Sequence, residues 1–179
     1  MQKSRFSLKK CLLLLSWLPF CAPSHADAVL LGQPAPLFQL QAQDGSVVNL
    51  SERQGKGWTV LYFYPKAGTP GCTKQACAFR DAIASIRQQN AEVYGVSTDE
   101  VKNLQDFHQE HKLAFKLLSD PDAKTTNAYG VKMPVLTMAK RWTFIIDPSL
   151  VIRQIDDDVD PALDARRVVD ELKRLQSGQ

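Results

Sequence analysis

Two cysteines, Cys72 and Cys77, are the residues of this 179-residue chain whose type and spacing most clearly indicate chemistry. They lie five positions apart, directly after a loop rich in proline and glycine at residues 65–71. Two thiols this close along a chain form a candidate redox pair. A permanent structural disulfide is the alternative, but so short a loop would constrain the unfolded chain only weakly.

Cys72 lies where a predicted strand at residues 58–64 gives way, through the loop, to a predicted helix at residues 72–89. The helix is indicated by four apolar residues at the i, i+3, i+4, i+7 spacing of one buried stripe, Phe79, Ala82, Ile83 and Ile86. The free N–H groups and the positive end of the dipole at a helix start favour a thiolate over a thiol. We therefore expect Cys72 to be a nucleophile, and a buried, unreactive cysteine is the alternative.

The spacing of the two cysteines limits how they can pair. In an unbroken α-helix, residues i and i+5 have Cα atoms roughly 8–9 Å apart, whereas a disulfide needs Cα atoms within about 7 Å. If Cys72 and Cys77 pair, the first turns of the helix must unwind. Such a change between reduced and oxidised forms suits a catalytic cycle better than a permanent crosslink.

The elements that must position these cysteines alternate between strand and helix. Strands are predicted at residues 38–42, 47–50, 58–64, 93–97, 142–146 and 151–155, and helices at 72–89, 100–111, 122–129 and 161–175. This order implies an α/β domain with a mixed central sheet and helices on both faces. A thioredoxin-like fold fits the order, although periodicity does not distinguish it from other three-layer α/β folds.

The first 26 residues are typical of a secretory signal peptide. Four basic residues and no acidic ones precede an apolar run at residues 11–22, and small residues, Ser24 and Ala26, end the segment. An uncleaved membrane anchor would need about 20 apolar residues. A lipoprotein signal acylated at Cys21 is a third interpretation, disfavoured because the bulky Phe20 precedes that cysteine.

Cleavage after Ala26 predicts a single domain at residues 27–179 with no membrane span, in the periplasm or secreted. Cys11 and Cys21 would be removed, so that Cys72 and Cys77 remain in an oxidising compartment. The net charge of +3 also belongs to the leader, since the rest has 18 Lys and Arg residues against 19 Asp and Glu, a net charge of −1. We therefore expect no nucleic-acid partner.

Residues 63–81, FYPKAGTPGCTKQACAFRD, resemble the active-site segment of the peroxiredoxins, and in particular of the bacterioferritin comigratory protein and peroxiredoxin Q group. The family pattern Pro-x-x-x-Thr-x-x-Cys is met by Pro65, Thr69 and Cys72, and a second cysteine five positions on is met by Cys77. Residues 97–99, 115–120 and 141–147 are also similar. The resemblance thus covers most of the chain after the leader.

The resemblance implies a thioredoxin-like fold and a thiol peroxidase without a cofactor. In that interpretation Cys72 attacks a hydroperoxide and becomes a sulfenic acid, Cys77 resolves it into a disulfide, and a thioredoxin-like donor reduces the disulfide. Thr69 would hydrogen-bond the peroxide, Pro65 would shield the sulfur, and Arg141 would stabilise charge on sulfur and oxygen. The resemblance also favours a monomer.

Each assignment has a simpler alternative. Thr69 could satisfy backbone groups of the loop or helix start, and Pro65 could merely end the strand. Arg141 could be an exposed residue paired with a carboxylate, with Lys140 as the alternative cation.

The alternative function on the same fold is an exported thiol-disulfide exchange or copper-delivery protein. Such proteins need Cys-x-x-Cys or a close cysteine pair with a histidine ligand, whereas the spacing here is Cys-x4-Cys. We expect His108 and His111 to form a solvated helix edge and the aspartates of residues 156–160 a polar turn, so no metal site is predicted.

Overall fold

The computed structural model describes residues 29–178. Its seven strands are β1 (Gln39–Ala42), β2 (Val47–Asn49), β3 (Trp58–Phe63), β4 (Ala91–Ser97), β5 (Lys116–Ser119), β6 (Trp142–Ile146) and β7 (Ile152–Asp156). The four α-helices are α1 (Pro70–Gln88), α2 (Val101–Glu110), α3 (Lys124–Ala128) and α4 (Asp164–Gln176), and a 3₁₀ turn covers Leu50–Arg53. The leader predicted at residues 1–26 lies outside the described residues.

The strands form one mixed sheet in the order β2-β1-β5-β4-β3-β6-β7. The β3–β4 and β4–β5 pairs are parallel, and the other pairs are antiparallel. Because β6 runs against β3, Trp142 at the start of β6 pairs with Phe63 at the end of β3. This register brings Arg141, the residue directly before β6, to the edge of the sheet where the β3–α1 loop begins.

The central strand β3 supplies side chains to two cores, as its run of β-branched and aromatic residues predicts. Val60 and Tyr62 point into a core that also contains buried residues of α1, α2 and α4. Leu61 and Phe63 point into a second core on the other face, with Tyr129 at the end of α3 among its members. The predicted thioredoxin-like α/β fold with a mixed sheet is confirmed.

Most predicted elements differ from the observed ones by one to three residues at their ends. The exception is β5, because the sequence analysis placed no strand there. Leu117 and Leu118 are both fully buried, one in each core, so the strand is made by its place between β4 and β1. A four-residue strand that buries both faces shows no alternating pattern to detect.

Two helix starts also differ from the prediction. α1 begins at Pro70, two residues before the predicted start, which puts proline at the first helical position, where its missing N–H costs nothing. α4 begins at Asp164, three residues after the predicted start. Residues 161–163 form a turn instead, in which Asp160 Oδ1 accepts the N–H of Ala162 at 2.7 Å.

Candidate active site

The reactive cysteine of the prediction lies in the first turn of α1, at the carboxyl end of β3. The residues that join the two elements include Pro65 and Thr69, and Pro70 is the first residue of the helix. Cys72 is buried, with 1% of its surface exposed. A thiolate at this position faces the positive end of the helix dipole and the helix-start N–H groups.

Arg141 lies against the sulfur of Cys72. Its Nη2 donates to Cys72 Sγ at 3.4 Å, and its Nη1 donates to Gln75 Oε1 at 2.6 Å. Arg141 directly precedes β6, so the antiparallel β3–β6 pairing carries it to the start of α1 across 69 residues of sequence. The alternative cation, Lys140, instead places its ammonium group 5.6 Å from the ring centre of Trp142.

Thr69 and Pro65 lie in the loop as the motif requires, but their contacts are local. The Thr69 hydroxyl donates to the carbonyl of Lys66 at 3.0 Å, and the Thr69 carbonyl accepts the N–H of Thr73 at 2.8 Å. Thr69 thus shapes the loop and begins the helix. Pro65 is half-buried just beyond the end of β3.

The loop is fixed to the neighbouring strand by Asp99. One carboxylate oxygen, Asp99 Oδ2, accepts the N–H of Ala67 and the hydroxyl of Ser97, both at 2.8 Å. Asp99 lies just beyond β4, which is parallel to β3, so both strands deliver residues to the same edge of the sheet. The aspartate therefore ties the loop before Cys72 to the end of β4.

Cys77 lies on the same helix as Cys72 and is half-buried. α1 runs unbroken from Pro70 to Gln88, and both cysteines are free thiols. In such a helix their Cα atoms are roughly 8–9 Å apart, so the structure is that of the dithiol form. A disulfide between them requires α1 to open at its start, as the spacing predicts.

Gln75 and Asp164 complete the surroundings of Arg141, and the sequence analysis missed both. Gln75 Nε2 donates to Asp164 Oδ2 at 2.6 Å, and Thr143 Oγ1 donates to the same oxygen at 2.8 Å. Burial raises the pKa of Asp164 from 3.8 to about 6, although the two hydrogen bonds oppose the shift. The available signal was that Asp164 continues the apolar stripe of Val168 and Leu172 on α4.

The histidines and aspartates considered as metal ligands have other contacts. The ring of His111 packs edge-on against Phe107 at 4.9 Å. Asp156 Oδ1 accepts the N–H of Asp158, as expected of a polar turn. Within residues 29–178, no group of three or more His, Cys, Asp or Glu side chains is arranged to hold a metal ion. In the same range, no helix has the length and apolar character needed to cross a membrane.

Comparisons with known proteins find a family, curated relatives and solved structures that agree with one another. Residues 31–155 match the AhpC/TSA family. Peroxiredoxin Q of rice chloroplasts (Oryza sativa subsp. japonica) is 40% identical over 148 residues, which are 82% of this chain and 66% of the rice protein. The chain therefore spans slightly less than two thirds of that relative's length.

Two solved structures are similar over most of their length. Peroxidoxin BcpB of Mycobacterium tuberculosis has a TM-score of 0.76 at 32% identity, covering 81% of this chain and 97% of its own. The bacterioferritin comigratory protein of Xanthomonas campestris has a TM-score of 0.73 at 30% identity, covering 77% and 91%. With a buried cysteine at the start of α1 and an arginine on its sulfur, this chain belongs to the peroxiredoxins of the AhpC/TSA family, in the bacterioferritin comigratory protein and peroxiredoxin Q group.

Proposed function

We propose that the protein is a thiol peroxidase that reduces hydrogen peroxide and organic hydroperoxides through Cys72. The observation that carries the proposal is the contact of the Arg141 guanidinium with the buried Cys72 sulfur, at 3.4 Å. A guanidinium in this position stabilises the thiolate and has further N–H groups for a peroxide oxygen. The Xanthomonas campestris relative has an alkyl peroxide reduction activity, which supports organic hydroperoxides as substrates.

In the first step the thiolate of Cys72 attacks the terminal oxygen of the hydroperoxide. An S–O bond forms and the O–O bond breaks, so the sulfur is oxidised to a sulfenic acid. The leaving oxygen takes up a proton and departs as water or an alcohol. Arg141 stabilises the negative charge as it moves from sulfur to the leaving oxygen, and Thr69 is in the loop that must position the peroxide.

In the second step the Cys77 thiol condenses with the Cys72 sulfenic acid, forming the disulfide and releasing water. Gln75 lies between the two cysteines on α1, so opening the helix there must break its bonds to Arg141 and Asp164. The oxidised form therefore loses the network that holds Arg141. Reduction of the disulfide would let α1 and this network form again.

We propose that a thioredoxin-like protein reduces the disulfide. Its thiolate must attack a sulfur of the disulfide, which the unwound start of α1 exposes. The leader at residues 1–26 supports a periplasmic or secreted domain at residues 27–179, with an exported thioredoxin-fold protein as the donor. The family resemblance supports a monomer. Mass measurement of the exported product is expected to show a chain that starts at Asp27. A product that retains the leader would contradict export with cleavage.

The peroxidase proposal is tested by stopped-flow reaction of the dithiol protein with one equivalent of hydrogen peroxide or cumene hydroperoxide. We expect rapid loss of two thiols in the wild type, no rapid reaction in Cys72→Ser, and a stable sulfenic acid in Cys77→Ser. The conservative Arg141→Lys variant should react much more slowly, because lysine lacks the planar fork. Reaction of the wild type no faster than a free thiol would reject the proposal in favour of thiol-disulfide exchange.

A further inference from the structure

A continuous chain of hydrogen bonds links α4 to the sulfur of Cys72. Asp164 Oδ2 accepts from Gln75 Nε2 at 2.6 Å, Gln75 Oε1 accepts from Arg141 Nη1 at 2.6 Å, and Arg141 Nη2 donates to Cys72 Sγ at 3.4 Å. We propose that Asp164 is a positioning residue of the peroxide reaction, which fixes Gln75 and, through it, the guanidinium of Arg141 against Cys72. This inference rests on the proposed role of Cys72 as the peroxide-reactive thiol.

Asp164 decides which way the amide of Gln75 points. Arg141 has only donors, so an amide that serves it must present its oxygen, and the NH₂ end then needs an acceptor. Gln75 is fully buried, and Asp164 provides that acceptor. A flipped amide would set donor against donor at Arg141 and acceptor against acceptor at Asp164. The carboxylate therefore selects the amide orientation that holds Arg141.

Packing does not account for a carboxylate at this position. Asp164 is 1% exposed and continues the buried stripe formed by Val168 and Leu172. An apolar side chain at this position would avoid the cost of removing a charged group from water. Its second oxygen, Oδ1, has no hydrogen-bond partner among the described residues. Buried charged groups that lower the stability of the folded protein in this way cluster at functional sites.

The pKa of Asp164 lies near neutral pH, and the residue borders a cavity. It lines a partly open cavity of about 130 Å³ together with Asp156 of β7 and with Arg167 and Glu171 of α4. Burial is the main cause of its pKa of about 6; among the neighbouring charges, Asp156 raises this pKa and Arg167 lowers it. From α1 and β6, the uncharged Gln75 and Thr143 face the carboxylate. From β3, the buried Tyr62 also interacts with it, since burial and then the nearby charges, including that of Asp164, raise the pKa of Tyr62.

Protonation of Asp164 at its unpartnered Oδ1 would leave Oδ2 as a weaker, neutral acceptor for Gln75. Hydrogen bonds to charged groups are roughly twice as strong as those between neutral groups. The hold on Arg141 should therefore loosen as the pH falls through about 6. The effect on the peroxide reaction should be graded rather than complete, since the bonds themselves persist.

The test compares the wild type with Asp164→Asn, whose amide oxygen can still accept from Gln75 and Thr143 but cannot titrate. Stopped-flow rates with hydrogen peroxide are measured between pH 5 and 8. We expect the variant to be about three- to tenfold slower at pH 8. The ratio of the two rates should approach one at pH 5, with its midpoint near 6.

Asp156→Asn is the matched control, because this carboxylate lines the same cavity but has no bond to Gln75. We expect it to leave the rate at pH 8 unchanged and to lower the midpoint of the acid limb, since Asp156 raises the pKa of Asp164. Asp164→Ala, which removes the acceptor, should be slow at every pH. Circular dichroism and thermal unfolding of each variant show whether it is folded.

A second readout keeps this inference separate from the peroxidase proposal. In a Cys77→Ser background, alkylation of Cys72 by iodoacetamide reports the contact of sulfur with Arg141 without any peroxide. The inference predicts slower alkylation at pH 7 for Asp164→Asn. Equal alkylation and equal peroxide rates for wild type and Asp164→Asn at every pH would overturn it. Failure of the wild type to reduce peroxide would reject the proposed function, while the alkylation comparison still decides the role of Asp164.

Discussion

The substitution Asp164→Asn should make the protein more stable at neutral pH while it slows the reaction. Burial raises the pKa of Asp164 from 3.8 to about 6, so the folded protein binds this proton more tightly than the unfolded chain does. The charged carboxylate therefore lowers the free energy of unfolding above pH 6, and this cost disappears as the pH falls toward 3.8. Asparagine keeps an acceptor for Gln75 and Thr143 and carries no charge to desolvate.

The size of the effect follows from the shift. A pKa raised by about two units corresponds to about 3 kcal/mol of unfolding free energy, since one unit is worth about 1.4 kcal/mol. The variant should thus exceed the wild type by about 3 kcal/mol at pH 7 to 8 and by about 0.5 kcal/mol or less at pH 4. Most of the change should fall between those two conditions, because the carboxyl titrates at 3.8 in the unfolded chain and at about 6 in the folded protein.

Urea unfolding of both proteins across this pH range, with the same slope m for each, provides the measurement. A difference that does not change with pH would refute the reasoning, because it would show that Asp164 has no raised pKa in the folded state. A variant less stable than the wild type at pH 8 would also refute it, and would make Asp164 a structural anchor. A variant that is both more stable and slower is the pattern expected when stability is given up for activity.

Three other substitutions test the site and the core next to it. Gly71→Ala places a Cβ atom 3.2 Å from Arg141 Nη2, so the guanidinium must shift by a few tenths of an ångström. Stopped-flow should show a peroxide rate about tenfold lower with unchanged helix content. An unchanged rate would mean that the Arg141 position is not critical. Asp99→Ala removes the acceptor of Ala67 and Ser97; urea unfolding should show a loss of about 1–3 kcal/mol, and no loss would show that the loop is fixed by other contacts. Tyr62→Phe removes a buried hydroxyl that has no hydrogen-bond partner within residues 29–178; thermal unfolding should show equal or greater stability, and a clear loss would show that the hydroxyl is bonded in solution.

The fold could be predicted where the pattern of one element was unambiguous. Residues 58–63 read WTVLYF and bury side chains on both faces, and Val168, Val169 and Leu172 of α4 have helical spacing and lie in the core. β5 could not be predicted, because Lys116–Ser119 shows neither alternation nor length. Its strand conformation comes from pairing with neighbours distant in sequence, which a local pattern does not record.

The site was partly predictable for a similar reason. Cys72 and Cys77 are identified by their own spacing, but the contact of Arg141 with Cys72 depends on the register of β6 against β3. Asp164 was missed because an acidic residue near a helix start is ordinarily explained by the helix dipole. Its burial against Gln75 becomes visible only when α4 packs on α1. The roles of Thr69 and Pro65 toward a bound peroxide remain predictions.

The central claim is that peroxide oxidises Cys72 and that Cys77 resolves it. The sequence offers a direct measurement, since trypsin cleaves after Lys66, Lys74 and Arg80 and so puts the two cysteines on the separate peptides 67–74 and 75–80. After one equivalent of peroxide, mass spectrometry should find these two peptides joined by a disulfide, which a reductant separates. Peptides that remain separate, with Cys72 unmodified or oxidised on its own beside a free Cys77, would contradict the account.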